Sequence, residues 1–293
     1  MHYRNIPKTL LFLLLCCPSM GLTGCSTAAQ GDTGSFSPAD YVNPFIGAST
    51  STSAAGVYHG LGKTFPGATT PYGMVQVSPN TITGGDNSPG YSYEHTTIEG
   101  FAFTQMSGVG WFGDLGNLLV MPTTGPLQKI AGREDGSIGG YRSHYDKATE
   151  TARAGYYSAL LTDYGIRAES SATPHCGILR FTFPESDESG VVIDAFDRGS
   201  QIGMLDARTI VGYTTRNSGG VPENFRNWFV VRFDTPFSAI ELTDAPGGYK
   251  PGSNLLYPEG QKSVTGEHAV AKVHFATRRG QQICASVASS FIS

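Results

Sequence analysis

The sequence predicts an all-β fold, a large antiparallel sandwich or barrel, and three observations carry that expectation. Charged residues make up only 15% of the 293 residues, whereas glycine occurs 38 times and aromatics reach 11%. Low charge with many turn formers suits strands and tight turns better than helices. Short runs alternate apolar and polar residues with a period of two and are enriched in β-branched and aromatic types. No stretch long enough for an ordinary helix carries an apolar helical face.

The elements follow in order. Residues 73–78 (GMVQVS) alternate, and residues 117–121 (NLLVM) form an apolar run that Pro122 is expected to stop. Residues 156–162 and 166–173 read as a hairpin around Asp163-Tyr164-Gly165. Residues 177–183 (GILRFTF) put Leu179, Phe181 and Phe183 on one face and Arg180 and Thr182 on the other. Residues 191–196, 209–215, 228–234, 238–243, 270–277 and 282–290 repeat the pattern, and many turn-limited strands point to a sandwich or barrel. Asp187 and Glu188, within SDESG, read as a solvated turn. The exception is 48–116, irregular and rich in Gly, Pro and aromatics. Such segments are functional or disordered; Phe65, Tyr72, Tyr91, Tyr93, Phe101, Phe103 and Trp111 argue for order.

The first residues read as a targeting segment. Arg4 and Lys8 precede the apolar run 10–17 (LLFLLLCC), which is shorter than the ~20 residues needed to cross a bilayer. Residues 22–25 (LTGC) resemble a bacterial lipobox, which implies cleavage before Cys25, lipidation of its sulfur and a membrane anchor. The organisation expected is a lipoprotein signal peptide over 1–25, a flexible tether over 26–39, and a sandwich over 40–293. Cys176 and Cys284 then remain, either bridged or as two buried free thiols. Net charge is −4 without a basic cluster, so no nucleic-acid partner is expected.

Familiar catalytic motifs fail one by one. Gly108, Gly110 and Gly113 spell G-x-G-x-x-G, but Gly116 falls where a dinucleotide fold would run its helix, and no β-α alternation follows. Ser107 is not in G-x-S-x-G. The seven histidines, including His59, His95 and His175, show no metal spacing and read as loop or strand-edge residues. Glycoside hydrolysis needs two separated carboxylates; Asp86, Glu94, Asp114, Asp194 and Asp197 are present, but spacing nominates no pair. The aromatic, small-polar loop set fits either a sugar site or a cover over the core.

A series of motifs then occurs in one order: 41–47 (YVNPFIG), 62–79 (GKTFPGATTPYGMVQVSP), 90–93 (GYSY), 98–110 (IEGFAFTQMSGVG), 113–117 (GDLGN) and 121–126 (MPTTGP), continued by 155–157 (GYY) and 181–184 (FTFP). This order resembles glycoside hydrolase family 92, exported bacterial α-mannosidases, from about Asp40 to the end. The resemblance implies a galactose-mutarotase-like β-sandwich (a supersandwich) followed by a C-terminal (α/α)6 barrel. It implies calcium-dependent, inverting exo-hydrolysis that releases mannose from glycans, N-glycans included. The family's general acid and base and most calcium ligands belong to the barrel, which this chain is expected to lack. No catalytic or metal-binding residue is therefore expected here, and the chain alone should be inactive.

By position in the matching motifs, the expected substrate contacts are Thr64, Phe65, Pro66 and Gly67, then Gln105, Met106, Ser107, Gly108 and Gly110, with Asp86, Tyr91 and Trp111 as neighbours. Two departures, the absence of tryptophan from 84–89 and of histidines from Phe103-Thr104-Gln105, leave the linkage unnamed. The alternatives are a stand-alone glycan-binding lipoprotein and a sandwich without a ligand. The partners expected are mannose-containing glycans, the barrel domain and, through the lipid, a membrane.

Overall fold

The structure, a computed structural model, describes residues 37–48, 63–83, 89–106, 114–133, 135–217, 219–245, 255–256 and 260–293. The signal segment, Cys25, Asp86 and residues 107–111 lie outside the described residues. The described chain opens with a 3-10 turn, Pro38–Tyr41, capped by Ser37 in a reciprocal box with Asp40. This turn straddles the expected boundary between the tether (26–39) and the sandwich (40–293).

The described strands are, in chain order, β1 (Ala68–Thr69), β2 (Gln76–Asn80), β3 (Thr97–Ile98), β4 (Gly100–Ala102), β5 (Leu119–Thr123), β6 (Ser143–Arg153), β7 (Tyr156–Leu161), β8 (Ile166–Ala172), β9 (Cys176–Phe183), β10 (Ser186–Asp194), β11 (Ser200–Asp206), β12 (Thr209–Thr214), β13 (Asn227–Phe233), β14 (Ala239–Asp244), β15 (Leu255–Leu256), β16 (Ser263–Gly266), β17 (Ala269–Thr277) and β18 (Gln281–Ser290). They form two antiparallel sheets. One runs β1-β2-β4-β5-β10-β17-β14-β15 and the other β16-β11-β12-β13-β18-β9-β8-β7-β6-β3.

The sheets face each other over one core. Phe101 of the first sheet meets Tyr157 and Phe181 of the second, each at 6.3 Å between ring centroids. Leu179, Phe181 and Phe183 are buried and Arg180 is exposed, as the alternation in β9 requires. Gly177 lets the sheets close: a Cβ there would lie 2.4 Å from Val77 Cγ2 and 2.8 Å from the Phe103 ring.

Several expectations are corrected. Pro122 does not end its strand; it sits within β5 opposite Val191 of β10. On its other side β4 pairs with β5 only at Phe101↔Val120. That register puts Pro122 past the end of β4, where no ladder partner needs its missing N–H. Asp187 and Glu188 are not a turn but the irregular start of β10, where the register shifts between Ser186 and Ser189. Cys176 and Cys284 are neither bridged nor both buried: they are free, one exposed and one half-buried. Cys176 pairs with Ala288 and Cys284 with Arg180, so the two thiols lie well apart along one ladder. The longest strand, β6, carried no apolar alternation in its sequence (SHYDKATETAR). It lies second from the sheet edge beside the two-residue β3, and only two of its eleven positions are buried.

Candidate functional site

The motifs singled out in the sequence converge at one end of the sandwich. Thr64 donates its hydroxyl to Ile46 O at 2.7 Å, and Tyr93 N–H donates to Ala48 O at 3.0 Å. The short segment 44–48 therefore ties the Thr64 and Tyr93 motifs together. Phe45 meets Tyr93 edge-on at 5.8 Å. Thr81 N–H donates to Gly90 O at 2.7 Å, and Ser92 N–H donates to the Thr81 hydroxyl at 2.8 Å. Gln105 reaches the same place, donating its side-chain amide to Asn80 Oδ1 at 2.8 Å.

Beneath these loop roots lies a buried polar network that the sequence reading missed. Asn80 continues from Gln105 by donating to Glu99 Oε2 at 2.7 Å. The Thr83 hydroxyl donates to the same carboxylate oxygen, and Arg142 donates to Oε1. Arg142 also donates to the Thr97 hydroxyl at 2.7 Å. Glu99 is only 2% exposed. Burial pushes its carboxyl above the ordinary carboxylate range, against the pull of Arg142, Thr83 and Asn80. The signal available in the sequence was a lone acid between Ile98 and Phe101. Its cation, Arg142, immediately precedes β6, the strand that pairs with β3, and has no local signature.

Above the network opens a cleft of about 950 Å³ whose walls include Thr81, Thr83, His95, Arg133 and Arg142, with Glu99 in its lining. Hydroxyls, a carboxylate, guanidinium groups and an imidazole in one concave space can pair with the hydroxyls of a polyol. Among the described residues no three His, Cys, Asp or Glu side chains gather to hold a metal ion.

The expected contacts occupy different depths. Thr64 and Phe65 are half-buried, Pro66 is buried, and Met106 is partly open. Gly67 packs tightly, since a Cβ there would lie 2.1 Å from Val77 O. Tyr91 is 2% exposed and donates its hydroxyl inward to Glu150 Oε1 at 2.8 Å. Tyr157 donates to the same oxygen at 2.8 Å, and Lys147 lies 3.3 Å from Oε2. Burial, then the Tyr145 and Glu150 charges, holds the Tyr91 hydroxyl far above its ordinary value. Tyr91 thus anchors the loop root from beneath, and Lys147 lies 4.2 Å from the centre of the Tyr93 ring.

Residues 41–290 match the model described as the glycosyl hydrolase family 92 N-terminal domain. This chain belongs to glycosyl hydrolase family 92.

Solved relatives of this family 92 domain share its fold. A family 92 alpha-mannosidase from Bacteroides thetaiotaomicron is 31% identical with a TM-score of 0.74, over 87% of this chain and 33% of that one. The same mannosidase has been solved in complex with mannoimidazole. A family 92 inverting mannosidase from the same species is 27% identical with a TM-score of 0.69, over 87% of this chain and 32% of that one. An uncharacterized secreted glycosidase of Arthroderma benhamiae is 31% identical over 130 residues, 43% of this chain and 16% of that protein. The chain therefore spans about a third of the length of these solved relatives and less of the fungal one.

Proposed function

We propose that this chain is the substrate-facing N-terminal domain of an exported α-mannosidase that removes mannose from glycans, glycoprotein N-glycans among them. The observation that carries this reading is the family 92 match over 41–290 together with the likeness to a mannosidase solved with mannoimidazole. None of the expected contacts among the described residues lines the polar cleft itself; what supports a shared role is that the Gly90 segment is bonded to Thr81, which does line it, and that Gln105 is bonded to Asn80 next to Thr81. Thr64, Phe65 and Met106 are the described candidates for sugar contacts; Gln105, expected as a contact, is 1% exposed and bonded to Asn80, so it positions the loop from beneath. Ser107, Gly108, Gly110, Trp111 and Asp86 complete the proposed set.

In an inverting glycosidase one carboxylic acid protonates the leaving oxygen, while a carboxylate activates water from the opposite face. We assign neither role to a residue of this chain. The acid, the base and most of the calcium ligands belong, in this reading, to an (α/α)6 barrel partner. Export fits the secreted description of the fungal relative, and lipidation at Cys25 would fasten the domain to a membrane.

The test is to extend the chain through the downstream reading frame of its source gene and assay mannose release from α-mannosides. The extended protein should be active and residues 37–293 alone inactive. An inactive extension, or full activity in the short chain, would overturn the proposal. Lipidation is tested separately by fatty-acid labelling in the native host, which Cys25→Ala should abolish.

A further inference from the structure

The Glu99 network fixes more than a charge. Among the described residues Glu99 meets donors alone: Arg142 at Oε1, and Asn80 Nδ2 with the Thr83 hydroxyl at Oε2. Arg142 cannot accept, and a carboxylate offers an acceptor at each end. Facing it, Asn80 has to turn its NH2 end inward. That leaves Oδ1 on the other side, where it accepts from Gln105 Nε2 at 2.8 Å. The two ends of an amide are nearly the same size, so partners rather than shape decide which way each one stands.

Burial makes that decision strict, because Asn80, Glu99 and Gln105 are all buried. With either amide reversed, NH2 would meet NH2 or oxygen would meet oxygen, with little water to relieve it. Only Thr83 can change role. If the carboxyl takes up a proton, that hydroxyl rotates to accept it, and the Asn80 and Arg142 bonds stay as they are. The order therefore runs one way, from Arg142 through Glu99 and Asn80 to Gln105.

Gln105 is where this order leaves the core. Its backbone leads directly into Met106 and the segment proposed to face the substrate. Its Nε2 is also an atom that a Cβ on Gly90 would strike, 2.2 Å away. One amide thus sets the Gly90 and Gln105 motifs against each other.

We propose that Glu99 is a positioning residue for the segment that starts at Gln105: its carboxylate orients Asn80, Asn80 orients Gln105, and the Gln105 side chain sets where Met106 and its successors stand. The orientation follows from this chain's own residues; its effect on catalysis rests on the mannosidase reading.

Glu99→Gln tests this with almost no change of shape. Arg142 claims the one remaining oxygen, so the new NH2 faces Asn80. Asn80 must then turn its oxygen inward, its NH2 meets that of Gln105, and Gln105 has to turn too. Adding Asn80→Asp restores an acceptor between the two amides and returns Gln105 to its parent orientation. In ¹⁵N NMR of the full chain, the Gln105 side-chain amide and the Met106 backbone amide should shift in Glu99→Gln and return in Glu99→Gln/Asn80→Asp. A group that only added stability would leave both in place in the folded single variant. Neutron diffraction from crystals of the parent chain reads the amide deuterons directly. It should find those of Asn80 facing Glu99 and those of Gln105 facing Asn80. In the protein extended through its downstream reading frame, the single variant should lose roughly tenfold in kcat/KM for an α-mannoside, the scale of one hydrogen bond, and the double variant should recover it. Unmoved resonances in the folded single variant, no return in the double variant, reversed deuterons in the parent, or an unchanged kcat/KM would overturn the proposal. An extended parent without mannosidase activity would overturn the mannosidase reading instead, and the resonances and deuterons would still decide this one.

Discussion

Gln105 donates its amide to Asn80 Oδ1 at 2.8 Å in the space that a Cβ on Gly90 would fill. Such a Cβ would lie 2.1 Å from Asn80 Oδ1 and 2.2 Å from Gln105 Nε2, and Gly90 also holds φ at 62°. Gly90→Ala therefore meets both backbone strain and steric overlap, and should destabilise the domain by about 2–4 kcal/mol. Urea unfolding measures this. A loss close to zero would show that the Gln105–Asn80 bond has room to move.

Arg142 supplies the cation for the buried Glu99 carboxylate. Removing one partner of a buried pair leaves an uncompensated charge, so Arg142→Ala should cost about 3–5 kcal/mol. Adding Glu99→Gln to that variant should restore part of the loss, because the stranded charge is then gone. If the double variant is no more stable than Arg142→Ala, charge is not the reason for the effect.

Phe181 is 0% exposed, with the Phe101 ring tilted against it and the Phe183 ring edge-on. Phe181→Ala should cost about 3–5 kcal/mol, combining lost burial with the cavity left behind. Val230, outward on β13 and 41% exposed, is the control: its alanine variant should unfold near the parent's midpoint.

The Asp194–His268 pair predicts a pH profile. Burial alone would raise Asp194 and lower His268. Their mutual attraction and hydrogen bond, with Tyr141 and Phe196 on the carboxylate, reverse both directions. Asp194 thus titrates below its ordinary 3.8 and His268 above its ordinary 6.5. The imidazolium stabilises the fold fully below 6.5, and that contribution is lost as pH rises through its folded value. The carboxylate contributes fully above 3.8 and is lost as pH falls through its own folded value. Stability from the pair should therefore be greatest between these two values. Asp194→Asn should flatten the profile of unfolding free energy against pH; an unchanged profile would place the titration elsewhere.

Strand patterning was legible wherever one face of a strand is buried. Alternation in β9 identified Leu179, Phe181 and Phe183 as core before any contact was known. Patterning failed for β6, whose near-edge place and two buried positions out of eleven remove the need for apolar alternation. It also failed at Pro122, because whether a proline ends a strand depends on what lies beside it.

The candidate site divides along the same line. The order of local motifs around Thr64, Gly90 and Gln105 was sufficient to identify the family, since each motif is a continuous stretch of chain. The sequence alone thus determined an all-β domain of family 92 and the loops proposed to face its substrate. Tertiary structure decided which side chains those loops rest on. Glu99 and Arg142 are 43 positions apart, and Asp194 and His268 are 74 apart. Neither pair has a local signature, because burial and charge pairing arise only when distant strands are brought to the same end of the sandwich.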